Sequence, residues 1–367
     1  MLDLFTTYIH PKASEYINQV LTSTFVSEGQ WNKEFEKKLS LIIGNPNIFT
    51  VNSGTSALHL ALIMAGVKES DEVILPAQTF VATGLAVLYC KAKPVFADIN
   101  YNDGNISVDS IKRLITPKTK AIIPVHWAGY PCDLKGIHEI ASSNNCVVIE
   151  DAAHAFLAEY NGSVIGNHSD FVCFSFQAIK HLTTGDGGAI ATKSDKHYHL
   201  GKRLRWFGID KENDLPGELG ERVYNLDVIG YKYHMNNIAA AVGLANLINI
   251  KERIEKRRKY ANLYFQHLKD VSGIQLMQYQ SDRLSSYWLY PILVEKRTSF
   301  IKMMRSNNIN VSVVHQGIHK NIIFSSCKKE IDQQEIFDQK QIHIPLHENL
   351  NEEEIFHIID TIKKGWA

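Results

Sequence analysis

The chain has no excess of charge of either sign: 39 Lys+Arg stand against 39 Asp+Glu, a formal net charge of zero with histidine neutral. A protein built to grip a phosphate backbone carries a basic excess or one concentrated basic face. The densest charged run, KERIEKRRK at 251–259, mixes acids with its bases and reads as a solvated helix face, so nucleic-acid binding is not expected. A run of 18 uncharged apolar residues is also missing, which argues against a membrane span. MLDLFTTYIHPKA lacks the basic region and apolar core of a secretion signal, and the expectation is a cytoplasmic protein. Cysteine is scarce: Cys90, Cys132, Cys146, Cys173 and Cys327 form no CxxC pair and leave one over. They read as small buried hydrophobes in a reducing compartment, not as disulfides or a zinc site. Neither GxGxxG nor a P-loop is present, which removes the two commonest nucleotide fingerprints. There is no internal repeat.

What is present suits a large soluble enzyme: 367 residues at 45% hydrophobic content, enough for one large α/β unit and a smaller one. In the first 50 residues Trp31, Phe35 and Leu39 are spaced to share a helix face. Ser53 and Gly54 precede an apolar helix predicted over Thr55–Ala65. Short apolar runs then alternate with helical patterns. Strands are predicted at Glu72–Leu75, Lys93–Ala97, Ala121–Val125, Cys146–Glu150, Phe171–Phe174 and Gly188–Thr192, and helices at Phe80–Cys90, Ser110–Leu114 and Leu134–Ser142. Strands apolar nearly throughout and separated by helices imply a mostly parallel sheet covered on both faces, with ligands beyond the strands' carboxyl ends. A long amphipathic segment runs from Asn236 to about Leu268. After it come a β-like run at Tyr287–Val294, a helix near Thr298–Asn307, a strand at Asn310–Val314 and a helix around Asn351–Lys363. The expected division is a large unit over 1–249 and a small α+β unit over 250–367.

The stretch FSFQAIKHLTTGDGGAI drives apolar residues into Lys180 ahead of a glycine-rich turn. Such a lysine is either a solvated surface group or an amine kept for an aldehyde, able to condense with it and then serve as acid and base. VIEDAAHAF places Asp151 at a strand end: a helix cap, or a carboxylate that keeps a pyridine nitrogen protonated. Gly54, Thr55 and Ser56 open a helix, either as an ordinary cap or, with Ser175 at a neighbouring strand end, as a phosphate seat. Phe80, in PAQTFVAT, is either core or a flat cover for a cofactor ring. Lysine, carboxylate, phosphate seat and aromatic cover together meet the needs of pyridoxal phosphate.

In order along the chain, FVSEGQWNKEFE, NSGTSALHLAL, PAQTFVATGLAV, VIEDAAHA, FSFQAIKHLTTGDGGAI, NLDVIGYKYHMNNIAAAVGL, VVHQGIH and IPLHENL resemble the DegT/DnrJ/EryC1/StrS family of sugar aminotransferases. The resemblance covers about Ala13 to Leu350 and implies the aspartate-aminotransferase fold (fold type I): a large domain with a mostly parallel sheet flanked by helices, and a smaller C-terminal α+β domain. It implies that Lys180 is the Schiff-base lysine and Asp151 the partner of the pyridine nitrogen. Thr55, Ser56 and Ser175 would hold the phosphate, Phe80 would cover the ring and His154 would lie beside its phenolic oxygen. The family is dimeric with shared active sites. In GYKYHMNN, Lys232 and His234 stand where many members have asparagine and arginine; the asparagine commonly reaches the partner subunit's phosphate, and Lys232 either makes that contact or is solvated. A related branch carries histidine in place of the lysine and dehydrates sugars; Lys180 favours transamination.

The activity implied is transfer of an amino group from L-glutamate to a nucleotide-linked keto sugar, a 4-keto-6-deoxyhexose or related 3-keto sugar, by way of the pyridoxamine 5'-phosphate form. The product would feed a surface polysaccharide, lipopolysaccharide O-antigen or glycosylated metabolite. Two other readings stay open: a pyridoxal-phosphate-dependent dehydratase or lyase on the same fold, and a non-catalytic pyridoxal-phosphate-binding regulator. The pairs His315/His319 and His343/His347 have helical metal-ligand spacing, but they follow a strand-like run or flank Pro345, and no metal is expected. The resemblance puts the first pair near the substrate opening. The polar loop Asp210–Val223 reads as an entrance lining or a solvated excursion.

Overall fold

The computed structural model describes residues 1–211, 217–221 and 223–366. Eight strands lie side by side in one sheet, in the order Ile48–Val51, Gly188–Thr192, Phe171–Ser175, Val147–Asp151, Thr119–Ile122, Glu72–Pro76, Lys93–Ala97 and Lys328–Lys329. Gly188–Thr192 runs antiparallel to both neighbours, and the other pairs in this sheet are parallel. The pleat sends alternate side chains to opposite faces. Val172 and Phe174 accordingly join one apolar layer with Phe35 and Leu39, while Phe171 and Cys173 join another with Leu58 and Leu62. Covering both faces is what makes the apolar runs tolerable.

Beyond residue 250 a second core forms. Ile274–Leu276, Tyr290–Val294 and Gln341–Ile344 make an antiparallel sheet, packed by helices Ile250–Leu268, Arg297–Ser306 and Glu352–Lys363 around Tyr264, Ile292, Phe300 and Ile358. This is the expected α/β architecture with a smaller C-terminal α+β part. The two parts are stitched together: Lys328–Lys329 pairs with Lys93–Ala97 in the large sheet, and Leu2 bridges Ile309.

Three local expectations shift, and one strand appears where none was expected. The strand predicted at Ala121–Val125 is Thr119–Ile122; Pro124 has no N–H to give, and pairing resumes only as the single bridge Val125–Asp151. Asn310–Val314 is not a strand: its neighbourhood makes only the isolated bridges Leu2–Ile309 and Ser312–His343, because the chain turns away to carry His315 toward the large sheet. The segment from Asn236 is two helices, Asn237–Asn246 and Ile250–Leu268, with Asn246 tied sideways to His10 and Thr183 at 2.8 Å each. Strand Ile48–Val51, unmarked by any alternation, is a four-residue buried run.

Candidate active site

Because Gly188–Thr192 runs against its neighbours, its beginning lies at the same sheet edge as the ends of Ile48–Val51, Phe171–Ser175 and Val147–Asp151. A cavity of about 360 Å³ opens there, bordered by Thr55, Phe80, Asp151, His154, Ser175 and Lys180. Six of the eight residues singled out from the sequence therefore meet in one place. The other two do not border it.

One wall is the start of helix Gly54–Met64. Ser53 caps it by accepting from the Ser56 N–H at 3.0 Å, leaving the first N–H groups of the turn outside the helical ladder. Ser56 is buried and its hydroxyl is spent on Asn52 Oδ1 at 2.6 Å, so Ser56 supports the turn from behind. Gly54 faces the strand end so closely that a Cβ there would sit 2.8 Å from Ser175 Cβ; a larger residue would push helix and strand apart.

The floor holds Asp151, 5% exposed. Its Oδ2 accepts from Thr83 Oγ1 at 2.8 Å and its Oδ1 from the Ala153 N–H at 3.1 Å. Burial pushes this acid above its ordinary range, while the two hydrogen bonds and the Lys180 charge pull the other way. Lys180 is half-buried, and loss of water pulls its amine down to about 7 against the opposing pull of Asp151. Its Nζ lies 3.5 Å over the indole of Trp288. His154 is stacked on the same indole at 3.8 Å and held neutral by burial, with Nδ1 buried and unpartnered among the described residues.

Phe80 sits at the cap of helix Val81–Tyr89 and is 54% exposed, so it is not core. Its ring lies 5.2 Å from that of His315, which burial keeps neutral with its pKa down at about 3. Lys232 lies elsewhere, its Nζ 3.5 Å over Trp206, a ring that also carries Lys211. Of the loop Asp210–Val223, residues 212–216 and 222 lie outside the described residues; Lys211 pairs with Glu28 at 2.6 Å. The residues alone gave no part in the cavity to Thr83, Trp288 or His315, which reach it from three distant segments; Thr83 ends PAQTFVAT and His315 lies in VVHQGIH, but only the fold shows what they touch. Among the described residues no group of three or more His, Cys, Asp or Glu could hold a metal, and no helix is long and apolar enough to cross a membrane.

The residues present fit pyridoxal phosphate. A helix start with free N–H groups meets Ser175 across a contact that only glycine allows, a buried carboxylate forms the floor, and a neutral His154 has an unpartnered ring nitrogen. With the sheet order above, they define a pyridoxal-phosphate-dependent enzyme of the aspartate-aminotransferase fold, fold type I. Comparison with known proteins makes the assignment specific. Residues 7–363 match the DegT/DnrJ/EryC1/StrS aminotransferase family, and the chain belongs to it. GDP-perosamine synthase of Escherichia coli O157:H7 is 34% identical over 360 residues, 97% of this chain and 96% of that protein. The crystal structure of the sugar aminotransferase CalS13 from Micromonospora echinospora superposes with a TM-score of 0.95 at 30% identity, covering 100% of both chains. Helicobacter pylori PseC, an aminotransferase involved in the biosynthesis of pseudoaminic acid, gives 0.89 at 27% identity over 99% of this chain and 98% of that one. The protein is a pyridoxal-phosphate-dependent aminotransferase.

Proposed function

We propose that the enzyme moves an amino group from L-glutamate to a nucleotide-linked keto sugar, a 4-keto-6-deoxyhexose or related 3-keto sugar, in the making of a surface polysaccharide or glycoside. The observation that carries the catalytic reading is that Lys180 and Asp151 border the same cavity. The names of the relatives, among them GDP-perosamine synthase and dTDP-4-dehydro-2,3,6-trideoxy-D-glucose 4-aminotransferase, support the nucleotide-sugar class.

Pyridoxal phosphate, when bound, supplies an aldehyde and an electron-withdrawing ring. Lys180 is the amine that would hold the aldehyde; freed by the incoming donor, it takes a proton at the donor's α-carbon and gives it up again. An amine at about 7 is poised for this, half of it neutral near neutral pH. Asp151 would hold the ring nitrogen in its protonated form. Thr55, Ser175 and the open N–H groups at the start of helix Gly54–Met64 would take the phosphate, with Ser56 fixing that turn. Phe80 would cover the ring, and His154 would lie beside its phenolic oxygen.

A second copy of the chain completes the site in this reading, with Lys232 directed at the phosphate held in the other subunit. Leu219, Val223, Tyr224, Leu226 and Ile229 are 92%, 53%, 44%, 53% and 84% exposed within one short segment, an apolar strip that supports burial against a partner.

The test is purified enzyme with glutamate and a panel of nucleotide-linked keto sugars, the aminated product identified by NMR. Stoichiometric 2-oxoglutarate with one aminated sugar is the expected result. Conversion of a sugar without glutamate consumption would instead establish the dehydratase or lyase. Single conversion of the bound cofactor by glutamate, with no sugar of the panel taking the amino group from it, would overturn the substrate class alone.

A further inference from the structure

Trp288 lies more than 100 residues beyond Lys180 in the chain, yet it is built around that lysine. The lysine Nζ is 3.5 Å from the indole centroid and the His154 imidazole 3.8 Å from it, with planes only 18° apart. Two groups that close to one centroid cannot share a face, so the indole stands between the lysine and the imidazole. The indole N–H donates to the Ile179 carbonyl at 2.9 Å. On the other side of Lys180, His181 Nε2 donates to the Ser286 carbonyl, also at 2.9 Å. The residues before and after the lysine are thus both tied to segment 286–288 of the C-terminal part. That segment is itself pinned to the large sheet side, Ser286 N to the Gly129 carbonyl at 3.0 Å and Ser286 Oγ to the His154 carbonyl at 3.2 Å. Trp288 is 1% exposed.

We propose that the Trp288 indole is the resting surface for the free ammonium of Lys180 and, through its N–H, the anchor of that lysine's backbone. The proposal rests on Lys180 being the catalytic lysine. When the amine takes the α-proton of the donor it becomes an ammonium, and that charge must be held without being trapped. A carboxylate at salt-bridge distance would trap it. The negative face of an indole attracts it more weakly, and lets the proton leave again. The other ionisable groups facing the lysine are Asp151 from strand Val147–Asp151, His154 just after it and His315 from the C-terminal part. Both histidines are neutral there, so the indole and Asp151 are what stabilise the ammonium. Trp288 has a direct contact with the reacting nitrogen, which makes it a catalytic residue that neither motif nor spacing indicates.

The test uses protein loaded with pyridoxamine phosphate, in which the lysine amine is free, and reads how fast acetic anhydride acylates Lys180 over a pH series by peptide mass spectrometry. Trp288→Met removes the aromatic face; Trp288→Phe keeps a smaller aromatic face and removes the N–H. With Met the midpoint for Lys180 is expected to fall by about half to one pH unit, the worth of one cation–π contact. With Phe it is expected to stay within about 0.3 unit of the parent while, in a separate sample loaded with pyridoxal phosphate, the glutamate half-reaction slows about three- to tenfold, from the lost N–H anchor. A folded Met variant with the parent's midpoint overturns the proposal. Should the Met variant show no native circular dichroism, the Phe variant decides, because an unchanged half-reaction rate there overturns the anchoring role and the proposal with it. Lys180→Ala separates this from the underlying reading: if that variant still deaminates glutamate, the assignment of Lys180 is what fails.

Discussion

Thr83 Oγ1 donates to Asp151 Oδ2 at 2.8 Å, and since its one proton is spent there, Thr79 Oγ1, 2.7 Å behind it, must donate to Thr83. Both threonines are 1% exposed. Two hydroxyls in series therefore point their protons at a carboxylate that burial alone would neutralise. Thr83→Val keeps the shape and removes the donor, so the Asp151 acid should rise further and its charge be available less often. A lost hydrogen bond to a charged group is worth about 1.5–3 kcal/mol, so kcat should fall roughly ten- to hundredfold, with Thr83→Ser restoring most of it. Steady-state kinetics of the two variants check this; equal rates for Val and Ser would contradict it.

Lys180 titrates at about 7 where an ordinary lysine titrates near 10.5, and burial is the main cause. Below that value the amine is protonated and cannot attack an aldehyde; above it the amine is free. The rate at which cofactor-free protein captures pyridoxal phosphate should rise with pH and level off just above 7. Stopped-flow absorbance measures it. A rate still climbing toward pH 10 would show an ordinary, solvated lysine.

At Gly54 a methyl group would meet Ser175 Cβ at 2.8 Å, closer than real side chains approach. Gly54→Ala should part the helix start from the strand end and raise the half-saturating concentration of pyridoxal phosphate by about tenfold or more, about 1.4 kcal/mol. Absorbance titration gives the number. Unchanged affinity would mean this contact does not shape the phosphate seat.

Glu348 bridges Arg253 at 2.9 Å and Arg257 at 2.6 Å, all three side chains being nearly fully buried. Arg253 also donates to the carbonyl of His181, next to Lys180, at 2.9 Å. Burial raises the Glu348 acid, but the two guanidinium groups outweigh it and hold it down at about 2. The folded value lies below the unfolded one, so this stabilisation is present above pH about 4.5 and is lost as pH falls toward about 2. Glu348→Gln should cost about 3–5 kcal/mol at neutral pH, the toll of leaving buried charges unpaired. Denaturant melts across that acid range should fall more steeply for the parent than for the variant; parallel curves would contradict the assignment.

The central architecture was readable because strands covered on both faces are written as short apolar runs, as in Phe171–Phe174 and Gly188–Thr192. Asp151 and Ser175 were readable for a related reason: each is the last residue of such a strand, Ser175 the first polar residue after its apolar run and Asp151 the second, after Glu150. Strand order was not, since the reversal of Gly188–Thr192 depends on pairing and not on its own composition. Asn310–Val314 alternates like a strand but follows the demands of a distant cavity. Thr83 and Trp288 were hidden for the same reason: each resembles ordinary core until the fold brings it against Asp151 or Lys180.

The most direct measurement of the whole account is to load the protein with pyridoxal phosphate, reduce it with borohydride and map the fixed cofactor by peptide mass spectrometry. The account predicts a single pyridoxyl group, on Lys180, and none in Lys180→Ala. Modification on another lysine, or none on Lys180 in protein that has bound the cofactor, would contradict it.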